Sequence, residues 1–132
     1  MRILALDHGE ARVGVAVCDP TETIASPAGV VGPDPAEILP LAAKLEAELV
    51  VVGLPLTLAG DEGDQARSAR EYGAELDRLL DVPVETYDER LTSRMADSSA
   101  RAGAGAAQDA LAAAHLLESY LQRRAGPAQT DR

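Results

Sequence analysis

The stretch "LVVVG" at 49–53 offers no polar position, and a strand of that kind is stable only when both of its faces are covered. It stands between two stretches with helical signals, and a further strand pattern, "VPVETYDE" at 82–89, follows the second. The order strand, helix, strand, helix, strand implies parallel neighbours joined by right-handed crossovers. This places 49–53 inside an α/β sheet with helices on both sides.

The segments before it read differently. Arg2 to Asp7 and Val13 to Asp19 are β-rich, and the "HGEAR" between them carries Gly9, so the two form a hairpin with an extended turn. A third short strand is expected between Thr23 and Val31, with Pro27 suggesting an edge position or an irregular start. The fold class is therefore a five-stranded mixed sheet, three antiparallel strands and then two parallel ones, flanked by helices. "DPAE" at 34–37 gives the first helix its start: Asp34 as N-cap, Pro35 in the first turn, and Glu37 placed for a capping box, with the helix running to about Glu48. The second helix spans roughly Asp64 to Leu80, its inner face carrying Ala69, Tyr72, Leu76 and Leu79. Downstream, "TSRMADSSARA" reads as a short helix and "AGAGAA" as a flexible joint. A last helix runs from near Gln108 to about Arg124 with Ala113, Leu117, Tyr120 and Leu121 facing inward. Residues 1–124 form one domain on this reading, and 125–132 a disordered tail.

Phe and Trp are absent, so Leu, Val, Ile and Ala must fill the core, and small side chains bring helices and sheet close together. No apolar run approaches the length of a membrane span, and the N-terminus "MRILALD" has neither the apolar stretch nor the cleavage site of a secretory signal, so a cytoplasmic location is expected. Cys18 is single and has no neighbouring His to activate it, which makes it buried filler in a reducing compartment.

Asp7 ends an apolar strand, and a carboxylate there has lost hydration and needs a cation or a metal as partner. The fifth strand also ends in carboxylates, Asp88 and Glu89, at the C-terminal edge where open α/β sheets bind ligands. Asp109 lies at the start of a helix that can pack across that edge. Taken singly, each acid has an ordinary reading as a solvated turn or a favourable helix-end charge. Taken together, three carboxylates without Cys or paired His describe a hard-cation site for Mg²⁺ or Mn²⁺, with two ions suited to in-line displacement at a phosphodiester. Arg12, Arg90 and Arg94 stand close in sequence to these acids and are candidates for phosphate contacts.

The blocks "LALDHGEARVGVAVCDP", "VVVGLPLTLAGDEGDQA", "YDERLTS" and "DALAAAHLLESYL" resemble, in order, the signature blocks of the YqgF/RuvX family of pre-16S ribosomal RNA nucleases, also described as Holliday-junction resolvase-like. The resemblance implies a ribonuclease H-like fold and divalent-metal nuclease chemistry, with acidic residues matching Asp7, Glu89 and Asp109. Arg12 and Arg90 match the family's pattern, as do Gly9, Gly14, Gly53, Pro55 and Gly60. Three features depart from it: Ala11 where a basic residue is usual, Thr57 where Asn is usual, and a segment before the last helix, "ARAGAGAAQ", whose one basic residue is Arg101. They imply a weaker grip on nucleic acid.

The implied partner is nucleic acid, RNA ahead of branched DNA, because 12 basic residues against 22 acidic ones give a net charge of −10 and a four-way junction needs a broad basic surface. The competing readings are a junction resolvase acting as a homodimer, a non-catalytic nucleic-acid-binding module, and an actin-like phosphate site. The last needs two such domains where this length supplies one.

Overall fold

In the computed structural model, residues 1–92 and 106–130 are described. The segments expected to form the short helix and the flexible joint fall almost entirely outside them, as does Arg94. Five strands, β1 (Ile3–His8), β2 (Val13–Cys18), β3 (Ala25–Val31), β4 (Leu49–Leu54) and β5 (Val84–Asp88), form one sheet in the order β3-β2-β1-β4-β5. β1 pairs antiparallel with β2 and parallel with β4, and β4 pairs parallel with β5. This is the expected mixed sheet. β3 is an edge strand, and its register against β2 shifts between Val15 and Ala16, opposite Pro27, where the missing N–H of proline costs least.

Two helices cover one face and a third the other. α1 (Ile38–Lys44) and α2 (Asp64–Leu79) pack on Leu4, Leu6, Val13, Val15, Val50 and Val52. α3 (Ala106–Thr130) packs on Ile3, Ala5, Ala16, Cys18, Leu49 and Val51 through Ala113, Leu117, Tyr120 and Leu121. Successive strand side chains point to opposite faces, so the uninterrupted apolar run of β4 is divided between these two cores. Cys18 is buried as expected.

Several helix ends differ from the expectations, each for a local reason. Asp34 accepts from the Ala36 N–H at 3.0 Å as a cap, but the turn it starts, 35–37, is a 3₁₀ turn, and Glu37 reaches back to the N–H of Gly32 at 3.0 Å rather than to that of Asp34. α1 stops at Lys44, not Glu48. Ala47 N–H bonds to Ala42 O at 3.0 Å and Glu46 N–H to Ala43 O at 3.1 Å, with Glu46 at φ 56°. This is a Schellman stop in which glutamate occupies the left-handed position that glycine usually takes. Replacing Glu46 with Gly is expected to raise stability by about 0.5 kcal/mol, because the strain of a Cβ at positive φ outweighs the added freedom of the unfolded chain; an unchanged or lower denaturation midpoint would contradict this. Leu79 does not join the inner face of α2, whose buried residues are Ala66, Ala69, Tyr72, Gly73 and Leu76. It is 37 % exposed and lines an open depression of about 220 Å³ with Leu39, Ala42 and Val82, because the last turn of α2 faces small residues of α1. α3 begins two residues before Gln108 and continues past Arg124 to Thr130.

A candidate carboxylate site at the edge of the sheet

The alternation of β1 sends His8 and Asp7 to opposite faces. His8 goes to the α2 side, where its ring lies 4.6 Å from that of Tyr72, and burial lowers its pKa and keeps the imidazole neutral. Asp7 goes to the α3 side, in line with Ile3 and Ala5. Its neighbour across the antiparallel ladder is Gly14. On the other side, one residue beyond the Leu6–Val52 pair, lies Gly53 of β4. Asp7 therefore sits between two residues that have no side chain.

Each of these glycines leaves room for another acid. A Cβ on Gly14 would lie 2.0 Å from the backbone O of Asp109 and 2.5 Å from its carbonyl C, so the first turn of α3 rests directly on β2. A Cβ on Gly53 would lie 2.6 Å from Oε2 of Glu89 and 3.0 Å from Cδ2 of Leu116, so the Glu89 side chain lies across β4. Both glycines stand inside strands, a position that favours close approach by another part of the chain. Their role follows from this geometry, and the sequence marked them only as strand glycines that match a family pattern.

The strand-end pair Asp88 and Glu89 separates into two jobs. Asp88 accepts from the Arg90 backbone N–H at 2.9 Å and grips the Arg90 guanidinium through both carboxylate oxygens, at 3.1 Å from Nε and 2.7 Å from Nη2. These bonds hold the Asp88 carboxyl below its usual range. Glu89 turns inward toward Asp7. The turn at 89–91 is tied to α3 by Ser119, whose hydroxyl donates to Leu91 O at 2.9 Å and lies 2.7 Å from the Tyr87 hydroxyl.

Burial pushes the Asp7 carboxyl up to about 6 from an ordinary 3.8; the negative charge of Asp109 adds to the rise and a hydrogen bond with Glu89 opposes it. Asp109 is paired with the guanidinium of Arg12. The structure thus brings Asp7, Glu89 and Asp109 to one edge with Arg12 beside them, around an open depression of about 430 Å³ lined by Asp7, Arg12, Asp109 and the turn at 8–11. Arg90 is turned onto Asp88 and also donates to Leu58 O at 3.2 Å.

The donor set suits a hard cation, since every candidate ligand is a carboxylate oxygen. The raised Asp7 pKa marks a place where added positive charge would be stabilising. Among the described residues, no three His, Cys, Asp or Glu side chains are already gathered at ligating distance.

Comparison with known proteins gives the family and the fold of the chain. The family model described as "RuvX: Holliday junction resolvase" matches residues 1–123. A Chloroflexus aurantiacus protein named "Putative pre-16S rRNA nuclease" is 40 % identical over 137 residues, covering 95 % of this chain and 90 % of the relative. A protein of the same name from Anaeromyxobacter dehalogenans is 41 % identical over 136 residues, covering 95 % and 99 %. Among solved structures, RuvC of Thermus thermophilus in complex with Holliday junction substrate superposes with a TM-score of 0.63 at 15 % identity over 96 % of both chains, which establishes a shared ribonuclease H-like fold.

Proposed function

Because the chain belongs to the RuvX family, whose model spans residues 1–123, we propose that it is a divalent-metal-dependent nuclease that hydrolyses phosphodiester bonds in RNA, with precursor 16S ribosomal RNA as substrate. One observation carries this reading: Asp7, buried at the end of β1, has Glu89 and the start of α3 drawn onto it through the two gaps left by Gly14 and Gly53. A structural acid needs no such convergence, and burying a carboxylate beside two others costs stability unless a cation joins them.

Asp7, Glu89 and Asp109 would hold Mg²⁺ or Mn²⁺, two ions in the full site, which would supply Lewis acidity toward the phosphodiester. Asp7 contributes a charge that the protein interior cannot neutralise by itself. Arg12 holds Asp109 in place and stands at the mouth of the depression, where a backbone phosphate would meet its guanidinium. Arg90 keeps the loop carrying Leu58 against the strand end and contributes positive charge there; Arg94 is proposed as a phosphate contact from its place in the sequence alone.

RNA is preferred to a four-way junction on the charge distribution. Arg12 and Arg90 are each engaged with a carboxylate, so among the described residues the edge shows no wide basic surface of the kind four duplexes require. A single strand led past the acids needs few phosphate contacts. Among the described residues no helix is long and apolar enough to cross a membrane, and the cytoplasm, where precursor ribosomal RNA is made, is the proposed compartment.

The deciding assay compares matched RNA, precursor 16S ribosomal RNA and a mobile four-way DNA junction at equal protein, metal and moderate salt. RNA cleavage that EDTA abolishes is expected. Faster, symmetric cutting of the junction would favour the resolvase reading that the family's description carries. In the same assay, Arg12→Ala and Arg90→Ala should each weaken binding to all sequences alike and lower the slope of log K against log salt by about 1. An unchanged slope in both variants would make these arginines purely structural.

A further inference from the structure

Leu58 is 95 % exposed, in a chain whose other large apolar side chains are mostly packed. It stands in the loop between β4 and α2, and that loop is fixed. Thr57 O accepts from the Gly60 N–H at 2.8 Å, the Thr57 N–H donates to Asp61 O at 2.9 Å, and Thr57 Oγ1 accepts from the Asp61 N–H at 3.1 Å. Threonine thus supplies the side-chain acceptor of this turn where the family usually carries asparagine. Gly60 adopts φ 92°, and a Cβ there would lie 3.3 Å from Arg90 Nη1. Arg90 itself donates to Leu58 O at 3.2 Å. An apolar side chain is therefore held out into solvent on a clamped turn, and the clamp is the residue next to Glu89. Leu91, 40 % exposed, follows Arg90 on the same turn.

We infer that Leu58 is the contact for an unstacked nucleobase of the substrate, a subsite beside the carboxylate edge that positions the strand by apolar packing rather than by charge. The inference rests on the nuclease reading above. Three features favour a base over a second copy of this chain. Among the described residues Leu58 stands with half-exposed Leu91 alone and not in a broad apolar patch of the kind a stable dimer buries. The guanidinium that fixes its carbonyl adjoins the proposed catalytic acid, so a strand crossing that edge passes this loop. Leucine side chains also serve as wedges against base steps in proteins that distort nucleic acid, and on a chain with net charge −10 an uncharged contact adds affinity without needing more basic residues.

The chain contains no tryptophan, so Leu58→Trp places a single indole reporter at this position. Binding is measured with Ca²⁺ in place of Mg²⁺ to suppress cleavage, using a short single-stranded RNA, the matching DNA, an abasic version of the DNA, and inorganic polyphosphate. The expected results are quenching of the indole by both base-containing strands and none by the abasic strand or polyphosphate. Leu58→Ala should lose about five- to tenfold in affinity for the base-containing strands with an unchanged salt slope, and nothing for the abasic strand. Its melting temperature should match wild type, since the side chain is solvent-exposed. If wild type binds and Leu58→Ala binds equally well with the indole unmoved, the Leu58 assignment falls and the nuclease reading stands. A shift of Leu58→Ala from dimer to monomer with unchanged affinity would make the residue a self-association contact. If no strand binds even wild type, the nuclease reading falls and the subsite with it.

Discussion

Asp7→Asn is expected to abolish cleavage while leaving the protein folded, and in EDTA at neutral pH to melt no lower than wild type. The loss of activity should be at least about a thousandfold, the scale seen when one preorganised charge-stabilising group is removed. The stability half follows from the sign of the pKa shift. The Asp7 carboxyl titrates at about 6 in the folded protein against 3.8 when exposed, so the folded state holds the proton more tightly. That contribution to stability is fully present below pH 4 and is lost as pH rises toward 6. At pH 7 wild type therefore carries a buried negative charge that costs on the order of 2–3 kcal/mol without a cation. Asn never ionises and avoids that cost. A melting temperature that falls between pH 4 and pH 6.5 in wild type relative to Asp7→Asn would confirm it, since the other titrating groups, His8 among them, are common to both, and addition of Mn²⁺ should stabilise wild type and not the variant. Full cleavage by Asp7→Asn, or cleavage undiminished by EDTA, would overturn the assignment of this acid.

Gly14→Ala should be the most destabilising single-methyl change at the site. The added Cβ meets backbone atoms, Asp109 O at 2.0 Å and Asp109 C at 2.5 Å, which cannot step aside by rotating. The start of α3 has to lift off β2, at a cost of about 3 kcal/mol, the upper range for overpacking. Activity should fall with it even at temperatures where the variant is folded, because Asp109 moves away from Asp7. Gly53→Ala is the internal control. Its Cβ meets the side chain of Glu89, Oε2 at 2.6 Å, and Cδ2 of Leu116 at 3.0 Å, groups that can rotate. It should cost less stability than Gly14→Ala while still impairing cleavage through Glu89. Chemical denaturation of the two variants, read beside their cleavage rates, checks this. If Gly14→Ala were as stable as wild type, the close packing of α3 on β2 would be wrong.

How much of this was written in the chain depends on the range of the interaction concerned. The strands and their pairing sense were legible from period and order: the unbroken apolar run of β4, the β-rich hairpin around Gly9 and the chain order of helices and strands leave few other sheets to build. Asp7 was legible as a candidate because a carboxylate at the end of an apolar strand is costly enough to stand out. The pair Asp88 and Glu89 was legible because it ends a second strand at the same edge, the family resemblance picking Glu89 from it, and Asp109 because it starts a helix that can pack there. The stop of α1 at Lys44 was not, since the left-handed residue that forms it is Glu46 rather than glycine, and local propensity says nothing against glutamate continuing a helix. The exposure of Leu79 was also hidden, because helical spacing shows which face a residue is on and not whether anything large stands opposite.

The family resemblance singled out Glu89, and the tertiary structure adds the separate task of Asp88. Asp88 ends β5 and Glu89 follows it, and the closeness of Arg90 to one and of Gly53 to the other separates a loop clamp from a candidate site acid. The same holds for Gly14 and Gly53. The sequence fixes that these strand positions lack side chains, a local fact carried by each residue. What fills the resulting gaps, a helix start from 95 residues downstream and a glutamate from the turn after the neighbouring strand, is set by the crossing of separate elements on one face of the sheet. That is a long-range packing outcome, and no local periodicity encodes it.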